Sequence, residues 1–325
     1  MIIEHLPPEI TSTEIDYSSS AFSDNTRFIY MLSYKTFELI VYDFMYNRCI
    51  VLNPDAAITE QFDQTNKENL ILGLDIHFVD EQTLLISIKD DCFPKRDGTT
   101  FILLIGLDYS SKRYSLLDKL LYKECYYAAT LRDGNQFALA HIFPVNGELY
   151  DGTDFFACVY FQVQSNHLCK LETERILCEI DYEITRPYRL YFYNNRLWFL
   201  LDQVYPNINV CYLDLSKPNP KMEHFDVVKD TGVMIIQWVD NYLFYYKDQF
   251  EFSILDLSNG VWSKIRNNAV LQNYDKYDSN LIHFTMNNHI GSQYYTYRFD
   301  KHLNVIAIDK STKQLYLLPL NNYFI

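Results

Sequence analysis

One pattern of apolar and polar positions recurs six times and spaces out most of the chain. In each copy an apolar run ends in a polar anchor, and bulky apolar residues follow six and nine positions later. The anchors are Asp43, Asp108, Gln162, Asp214, Asp256 and Asp309, and Trp262 is the plus-six residue of the clearest copy. Successive anchors lie 65, 54, 52, 42 and 53 residues apart. A period of about fifty residues is typical of a repeat architecture.

The segments between anchors show the same order of strand signals in each repeat. In the fifth repeat, short apolar and aromatic runs cover 234–239, 242–246, 250–255 and 261–265. The turn formers Asp240 and Asn241 separate the first two runs, as in a β-hairpin. The copy at Asp214 departs from the others by an insertion within 217–220, which contains Pro218 and Pro220. Each repeat is therefore expected to contain four strands.

Four short strands per repeat predict an all-β chain that folds as a single β-propeller of six four-stranded blades, with seven blades as the alternative. Helical solenoids are not favoured, because these runs lack apolar spacing of three and four. Only 116–125 is a helix candidate. The predicted domain covers 1–325, with approximate blades at 11–54, 70–118, 123–172, 180–226, 231–266 and 279–320.

The two ends of the chain are candidates for closing the ring. The first repeat has three clear strands, and its innermost strand is expected within 15–23. The leftover segments 2–10 and 319–325 could complete the last blade by strand exchange. Without such closure the first and last blades would expose unpaired edges.

The hairpin from Ile254 to Ile265, which reads ILDLSNGVWSKI, resembles the hairpin between the third and fourth strands of kelch-type repeats. F-box-associated propeller domains have a similar signature, and the copy from Gly106 to Tyr114 resembles it less closely. The resemblance covers the six hairpins and implies a kelch-like propeller. The paired Gly of kelch repeats, after the second strand, is absent. The physical role expected of the anchor carboxylate is to accept hydrogen bonds from the backbone amides of the turn. The apolar residues at plus six and plus nine are expected to cover the outer edge of the blade.

Composition narrows the partners that the chain can have. The formal net charge is −14, from 28 Lys and Arg against 42 Asp and Glu. Nucleic acid and membrane surfaces are unlikely partners, because both attract basic proteins. A protein or peptide partner, possibly basic, fits this charge. The seven cysteines show no paired spacing, and no signal peptide or membrane span is visible, so cytosol or nucleus is expected.

No residue set in the sequence identifies a reaction. The eight histidines are scattered, and nucleophile-elbow, P-loop and dinucleotide-binding patterns are absent. We therefore assign no catalytic, cofactor-binding or metal-binding residue and expect no cofactor. The favoured function is a non-enzymatic scaffold or adaptor for protein–protein interaction. The alternative is a propeller hydrolase or lyase with carboxylates at the mouth of the central channel.

Loops that differ between repeats are the candidate sites for a partner. Two long loops, 90–99 and 143–153, connect second and third strands, and both end in Asp-Gly-Thr. Asp-Gly is first of all a turn former. Aromatic residues beside Arg are enriched at interface hot spots, however. The candidate contact residues are Phe93, Lys95, Arg96, Asp97, Leu149, Tyr150, Asp151 and, in the fourth repeat, Tyr205. The acidic connection 55–69 could order or gate the same face.

Overall fold

The computed structural model describes the backbone of most of the chain. The described residues are 2–5, 15–23, 27–33, 36–43, 45–46, 48–63, 74–90, 99–123, 126–133, 136–144, 153–171, 175–181, 187–204, 207–228, 235–239, 241–248, 251–266, 295–299, 304–309 and 314–319.

Strands make up nearly all of the regular structure, and they are grouped here into sets in chain order. The chain begins with β1 (Ile2–His5). The first set is β2 (Ile15–Phe22), β3 (Phe28–Ser33), β4 (Leu39–Asp43) and β5 (Arg48–Pro54), followed by the helix α1 (Ala56–Asp63). The second set is β6 (Leu74–Asp80), β7 (Thr83–Asp90), β8 (Thr99–Asp108) and β9 (Arg113–Tyr122). The third set is β10 (Tyr126–Asp133), β11 (Gln136–Pro144), β12 (Thr153–Gln164), β13 (His167–Lys170) and β14 (Arg175–Asp181).

Three further sets complete the described strands. The fourth set is β15 (Pro187–Tyr193), β16 (Arg196–Val204), β17 (Asn207–Asp214) and β18 (Met222–Val228). The fifth set is β19 (Ile235–Val239), β20 (Tyr242–Asp248), β21 (Glu251–Asp256) and β22 (Trp262–Arg266). The sixth set is β23 (Tyr295–Phe299), β24 (Asn304–Asp309) and β25 (Gln314–Pro319).

Consecutive strands of a set lie side by side. The first set has the order β2-β3-β4-β5 and the fifth β19-β20-β21-β22, and the pairing in both is antiparallel throughout. In the third set β13 and β14 both pair with β12, so the outer position is shared by two short strands. These four-stranded meanders are the blade type of a β-propeller, and the predicted all-β fold class is confirmed. The number of blades and their boundaries stay predictions.

Burial decreases from the middle strands of a set to its outer strand. Every residue of β3 and β4 is buried, whereas in β5 only Leu52 is buried and the other residues are partly or fully exposed. A strand that is apolar at every position needs cover on both of its faces. The outer strand β5 has a neighbour along only part of its outer edge, where Asn53 and Pro54 pair with β9, and a mixed composition suits that position.

The chain divides into two compact units, Glu14–Gln203 with Val210–His224, and Met1–Thr13, Val204–Asn209 and Phe225–Ile325. Within the first of these units, apolar layers separate neighbouring sets. One cluster joins the first and second sets through Tyr30, Leu84 and Tyr114. A second cluster joins the second and third sets, and a third cluster joins the third and fourth. The first four sets therefore bury apolar surface against one another, as stacked repeats do.

In the other unit, β1 pairs antiparallel with β25, so that the sheet order is β1-β25-β24-β23. The N-terminal segment thus supplies the fourth strand of the sixth set. Closure of a ring by this exchange stays a prediction, and the segment 320–325 lies outside the described residues.

The first and second sets are also joined along their outer strands. β5 and β9 pair in parallel, with Asn53 opposite Arg113 and Pro54 opposite Tyr114. The buried Tyr114 hydroxyl donates a hydrogen bond to the Phe37 carbonyl of the first set. The eight strands of the two sets therefore form one continuous sheet.

Two expectations from the sequence are wrong at this junction. The helix candidate 116–125 is a strand over its described part, since β9 extends to Tyr122. The connection after the first set begins with a helix instead, which Asp55 caps by accepting the Ile58 amide at 2.8 Å. The buried Ile58 joins the core between the first two sets, and α1 packs against β5 and β9. The remainder of the acidic connection, 64–69, lies outside the described residues.

A bulge in β9 accounts for the spacing of three residues between Tyr114 and Leu117 in the second repeat. Opposite β8, the register shifts between Leu104 and Ile105, so that Leu117 is the extra residue. A Cβ on Gly106 would lie 3.1 Å from the Leu117 side chain, so glycine makes room for it. The spacing of three between the plus-six and plus-nine residues does not fit strict alternation, and it predicts a bulge or a late strand start in the hairpin. In the first and fifth sets the described hairpin register is regular.

Candidate functional site

A carboxylate at the end of the third strand holds the turn into the fourth strand. In three sets it accepts hydrogen bonds from both the amide and the hydroxyl of a serine two residues later. The amide and hydroxyl distances are 2.9 and 2.6 Å for Asp108 with Ser110, 3.1 and 2.5 Å for Asp214 with Ser216, and 2.8 and 2.6 Å for Asp256 with Ser258. These bonds replace the water contacts of the turn amides, as in an Asx turn.

The pKa values of these carboxyls are all below the ordinary value. For Asp108 the cause is the hydroxyl bonds from Ser110 and Ser111, and for Asp214 it is chiefly the Ser216 hydroxyl. Burial raises the pKa of Asp256, but bonds from Ser258, Asn241 and Asn259 outweigh it. The carboxylates are therefore ionised and stabilised by the turns that they hold.

The turns share one register. In the second set Leu107 pairs with Tyr114, in the fifth Leu255 pairs with the partly buried Trp262, and in the sixth Ile308 pairs with Leu315. The residue before the anchor thus lies opposite the plus-six residue. Asp309 itself occupies the anchor position at the end of β24, although its side chain is not among those described.

The Gln162 copy is built differently. Its turn consists of Ser165 and Asn166, both in the left-handed region with φ of 49° and 64°. Gln164 pairs with His167 and Gln162 with Cys169, so Leu168 lies opposite Val163. This two-residue turn needs no carboxylate anchor, because the left-handed residues set its geometry.

The first set keeps the four-residue turn but replaces the serine. Met45 stands two residues after Asp43, and its amide donates to Asp43 Oδ1 at 3.0 Å. The Tyr46 amide lies 3.4 Å from the same oxygen. No hydroxyl is available at this position, so the carboxylate must find its other partners outside the turn.

Arg27 supplies those partners from the start of β3. Its Nε donates to Asp43 Oδ1 at 3.2 Å and its Nη2 donates to Oδ2 at 3.0 Å, a two-point contact between planar groups. Arg48 Nε lies 3.6 Å from Oδ2 and adds a second positive charge. The Asp43 side chain is fully buried, whereas those of Arg27 and Arg48 are 25% and 57% exposed.

Burial of the Asp43 carboxyl raises its pKa, but the Arg27 hydrogen bonds, the Tyr46 and Met45 amides and the Arg27 charge together lower it below the ordinary value. The Asp43 bonds raise the pKa of Arg27 in turn. Asp43 is thus a charged group inside the protein that is balanced by named neighbours, which a buried carboxylate requires.

The two described side chains of the first turn project into solvent. Met45 is 67% exposed and Tyr46 is 62% exposed, the two highest values among the described large apolar side chains. The guanidinium carbons of Arg27 and Arg48 lie over the Tyr46 ring, 5.2 and 5.3 Å from its centroid. We call Arg27, Asp43, Met45, Tyr46 and Arg48 the first-hairpin patch.

The second set contributes a polar neighbour to this patch. The negative charge of Glu81, in the turn between β6 and β7, acts on Arg27. Tyr109 donates its hydroxyl to the Glu81 carbonyl at 2.9 Å. Burial raises the pKa of Tyr109 and of Tyr30, which therefore stay protonated. The turns of the first two sets thus meet at one end of the strands.

The predicted contact loops belong to the other end of the strands. In an antiparallel set the connection between second and third strands lies opposite the turn between third and fourth. The predicted contact residues Phe93, Lys95, Arg96, Asp97, Leu149, Tyr150, Asp151 and Tyr205 lie outside the described residues, and their role stays a prediction.

Sequence reasoning missed the first-hairpin patch, although a signal was present. Asp108, Asp214, Asp256 and Asp309 are all followed two positions later by Ser, whereas Asp43 is followed by Met45. Met45 in place of that serine marks the turn that exposes large apolar side chains.

Cysteine and metal chemistry is limited in the described part of the chain. Cys49, Cys158, Cys169 and Cys211 are free thiols, and burial raises the pKa of Cys49 and Cys211 to about 12. No group of three or more His, Cys, Asp or Glu that could hold a metal ion occurs among the described residues. Nor does that part of the chain contain a helix long and apolar enough to cross a membrane.

Comparison with known proteins gives only distant likenesses. No protein-family model matches the chain, and no curated protein matches it. Among solved structures, an acylaminoacyl peptidase of Pyrococcus horikoshii aligns at a TM-score of 0.48 with 10% identity, covering 92% of this chain and 43% of the peptidase. This chain thus spans less than half of that protein.

Two other solved structures are similarly distant. An oligogalacturonate lyase from Vibrio parahaemolyticus aligns at a TM-score of 0.45 with 9% identity, covering 93% of this chain and 77% of the lyase. A chain of a nidogen/laminin complex aligns at 0.44 with 9% identity, covering 75% of this chain and 77% of that one. At these scores and identities, the assignment of function depends on the residues of this chain.

The two arginines of the patch are expected to differ in their effect on stability. Arg27→Met removes the cation that bonds the buried carboxylate, whereas Arg48→Met removes an exposed charge that contributes little. We expect Arg27→Met to lower the urea midpoint of unfolding clearly more than Arg48→Met does, measured by tryptophan fluorescence. Equal midpoints for the two variants would contradict the role given to Arg27.

The stabilisation from Asp43 is expected to disappear in acid. Because the folded-state pKa of Asp43 is lowered, its contribution is full above the unfolded-state pKa and is lost as pH falls through the folded-state pKa. We expect Asp43→Asn to cost about 1.5–3 kcal/mol at pH 7 and progressively less below about pH 4. Urea unfolding of both proteins between pH 7 and pH 3 measures this; a difference that stays constant or grows in acid would refute it.

Proposed function

We propose that this chain is a non-enzymatic scaffold or adaptor for protein–protein interaction, built as a kelch-like propeller, and that the first-hairpin patch contacts its protein partner. The observation that carries the proposal is the exposure of Met45 and Tyr46 on a turn held by a buried carboxylate. The same position in three other sets holds a serine that bonds its own anchor. The first set lacks this serine-to-anchor hydrogen bond, and its turn exposes two large apolar side chains to water.

The composition of the patch fits a binding role. Tyr and Arg are enriched among residues that dominate binding energy, and Met is enriched at interfaces. Removing the exposed parts of Met45 and Tyr46 from water would contribute about 1.5–3 kcal/mol for each side chain. An exposed apolar pair with no such use would be a liability for solubility.

The rigidity of the turn adds to this fit. The Met45 amide bonds Asp43, and Arg27 holds Asp43 to the adjacent strand by two further bonds. Two guanidinium groups contact the Tyr46 ring. Binding through an ordered turn loses less conformational entropy than binding through a mobile loop. The patch is therefore already in the shape in which it would meet a partner.

A double variant tests this function without disturbing the fold. Met45→Ser with Tyr46→Ser rewrites the first turn in the Asp-x-Ser form of the other sets, so we expect the urea midpoint to be unchanged or higher. We expect the variant to lose a protein that the wild type retains from an extract of its native cells, as quantified by mass spectrometry. The retained protein must then bind the purified wild type directly and the purified variant at least roughly tenfold more weakly.

Val261→Ser is the matched control, since it removes another apolar side chain, 55% exposed, from the hairpin of the fifth set. The control should retain the partner at the wild-type level. If wild type and double variant retain the same proteins in the same amounts, the patch is not the contact and the proposal fails.

A further inference from the structure

The accessible charge of the first-hairpin patch is opposite in sign to that of the whole protein. The one acid of the patch, Asp43, is fully buried, whereas Arg27 is 25% and Arg48 is 57% exposed. A partner approaching the turn therefore meets guanidinium groups before it meets a carboxylate. The net charge of −14 alone favours a basic partner, but charge at contact distance decides recognition at a small site.

Arg48 is the cation that a partner can use. The Asp43 oxygens already accept bonds from Arg27 and from the Met45 and Tyr46 amides. The Arg48 Nε lies 3.6 Å from Asp43 Oδ2, an ion-pair distance beyond hydrogen-bond range, and the Arg48 guanidinium forms no hydrogen bond with another described residue. The negative charge of Glu81, in the second set, acts on Arg27. A carboxylate from outside would be the bidentate acceptor that an arginine fork suits.

The apolar side chains next to Arg48 define what must stand beside that carboxylate. Tyr46 lies against Arg48, with the guanidinium carbon 5.3 Å from the ring centroid, and Met45 precedes it in the turn. A segment that places an acid on Arg48 therefore brings its neighbouring side chain over the Tyr46 ring and the Met45 thioether. Thioethers and aromatic rings accept apolar and aromatic groups of varied shape.

Resting on the function proposed above, we infer that the first-hairpin patch binds a peptide segment in which an Asp or Glu adjoins a large apolar or aromatic residue. The acid pairs with Arg48 and the apolar residue covers Met45 and Tyr46.

Selection from a library of random twelve-residue peptides displayed on phage, with the purified full chain as bait, tests the inference. We expect enriched peptides in which Asp or Glu is next to Phe, Trp, Leu, Ile or Met. A synthetic peptide of the enriched sequence, labelled with fluorescein, should bind in fluorescence polarisation. Its affinity should fall at least roughly tenfold for Arg48→Glu, since the substitution puts like charges together.

Lys112→Glu is the matched control, because it makes the same charge change in the exposed turn of the second set and should alter affinity less than roughly twofold. Enrichment of Lys- or Arg-rich peptides, enrichment of none, or equal binding by Arg48→Glu would each overturn the inference. A phosphorylated peptide that binds tightly where its Asp and Glu counterparts fail would overturn it as well. The proposed function stands or falls separately, by whether the Met45→Ser, Tyr46→Ser variant loses its protein partner.

Discussion

In the first, second, fourth and fifth sets, the turn from the third strand into the fourth is held by a carboxylate that accepts hydrogen bonds from the residues just beyond it. This contact sets the register in which the residue before the anchor faces the plus-six residue, and so it places the whole outer strand. A hydrogen bond to a charged group contributes about 1.5–3 kcal/mol where water is excluded and less where it is not. The position two residues after the anchor is always within reach of the carboxylate, and a serine there completes the turn from within.

The first set satisfies the same constraint from outside the turn. Arg27, the residue immediately before β3, takes over the role of the serine hydroxyl, and the carboxylate of Asp43 is fully buried. Burial of a charge is unfavourable unless its partners are well placed, and two bonds from one guanidinium provide that placement. The position freed by this arrangement holds Met45, so one change in how the carboxylate is satisfied yields both a firm turn and an exposed apolar side chain.

The spacing of apolar residues was sufficient to predict the all-β class. Short apolar runs between turn residues fit strands, and the burial of one face fixes their register, because a slip by one residue would expose the apolar side chains. The prediction from spacing failed at β9, where the run Leu116, Leu117, Leu120 and Leu121 resembles one face of a helix because the bulge at Leu117 shifts the alternation. The opposite error, a helix that was not predicted, concerns α1. Asp55 followed by Ala56 and Ala57 is a helix-start signal, but it lies in a connection whose acidic residues suggested a loop. At the patch, Met45 in a serine position was readable from sequence, but the reach of Arg27 to Asp43 across 16 positions was not.

Amide hydrogen exchange at the tip of the first hairpin tests most directly whether exposed side chains are carried there on an ordered backbone. The amide of Met45 should exchange more slowly than in an unstructured peptide, because it donates to the buried Asp43, and Asp43→Asn should accelerate its exchange at least roughly tenfold. Ser110, whose amide is held in the same way in the second set, provides the internal reference and should be unaffected by that substitution. Exchange of the Met45 amide at the unprotected rate in the wild-type protein, with Ser110 protected, would contradict the account.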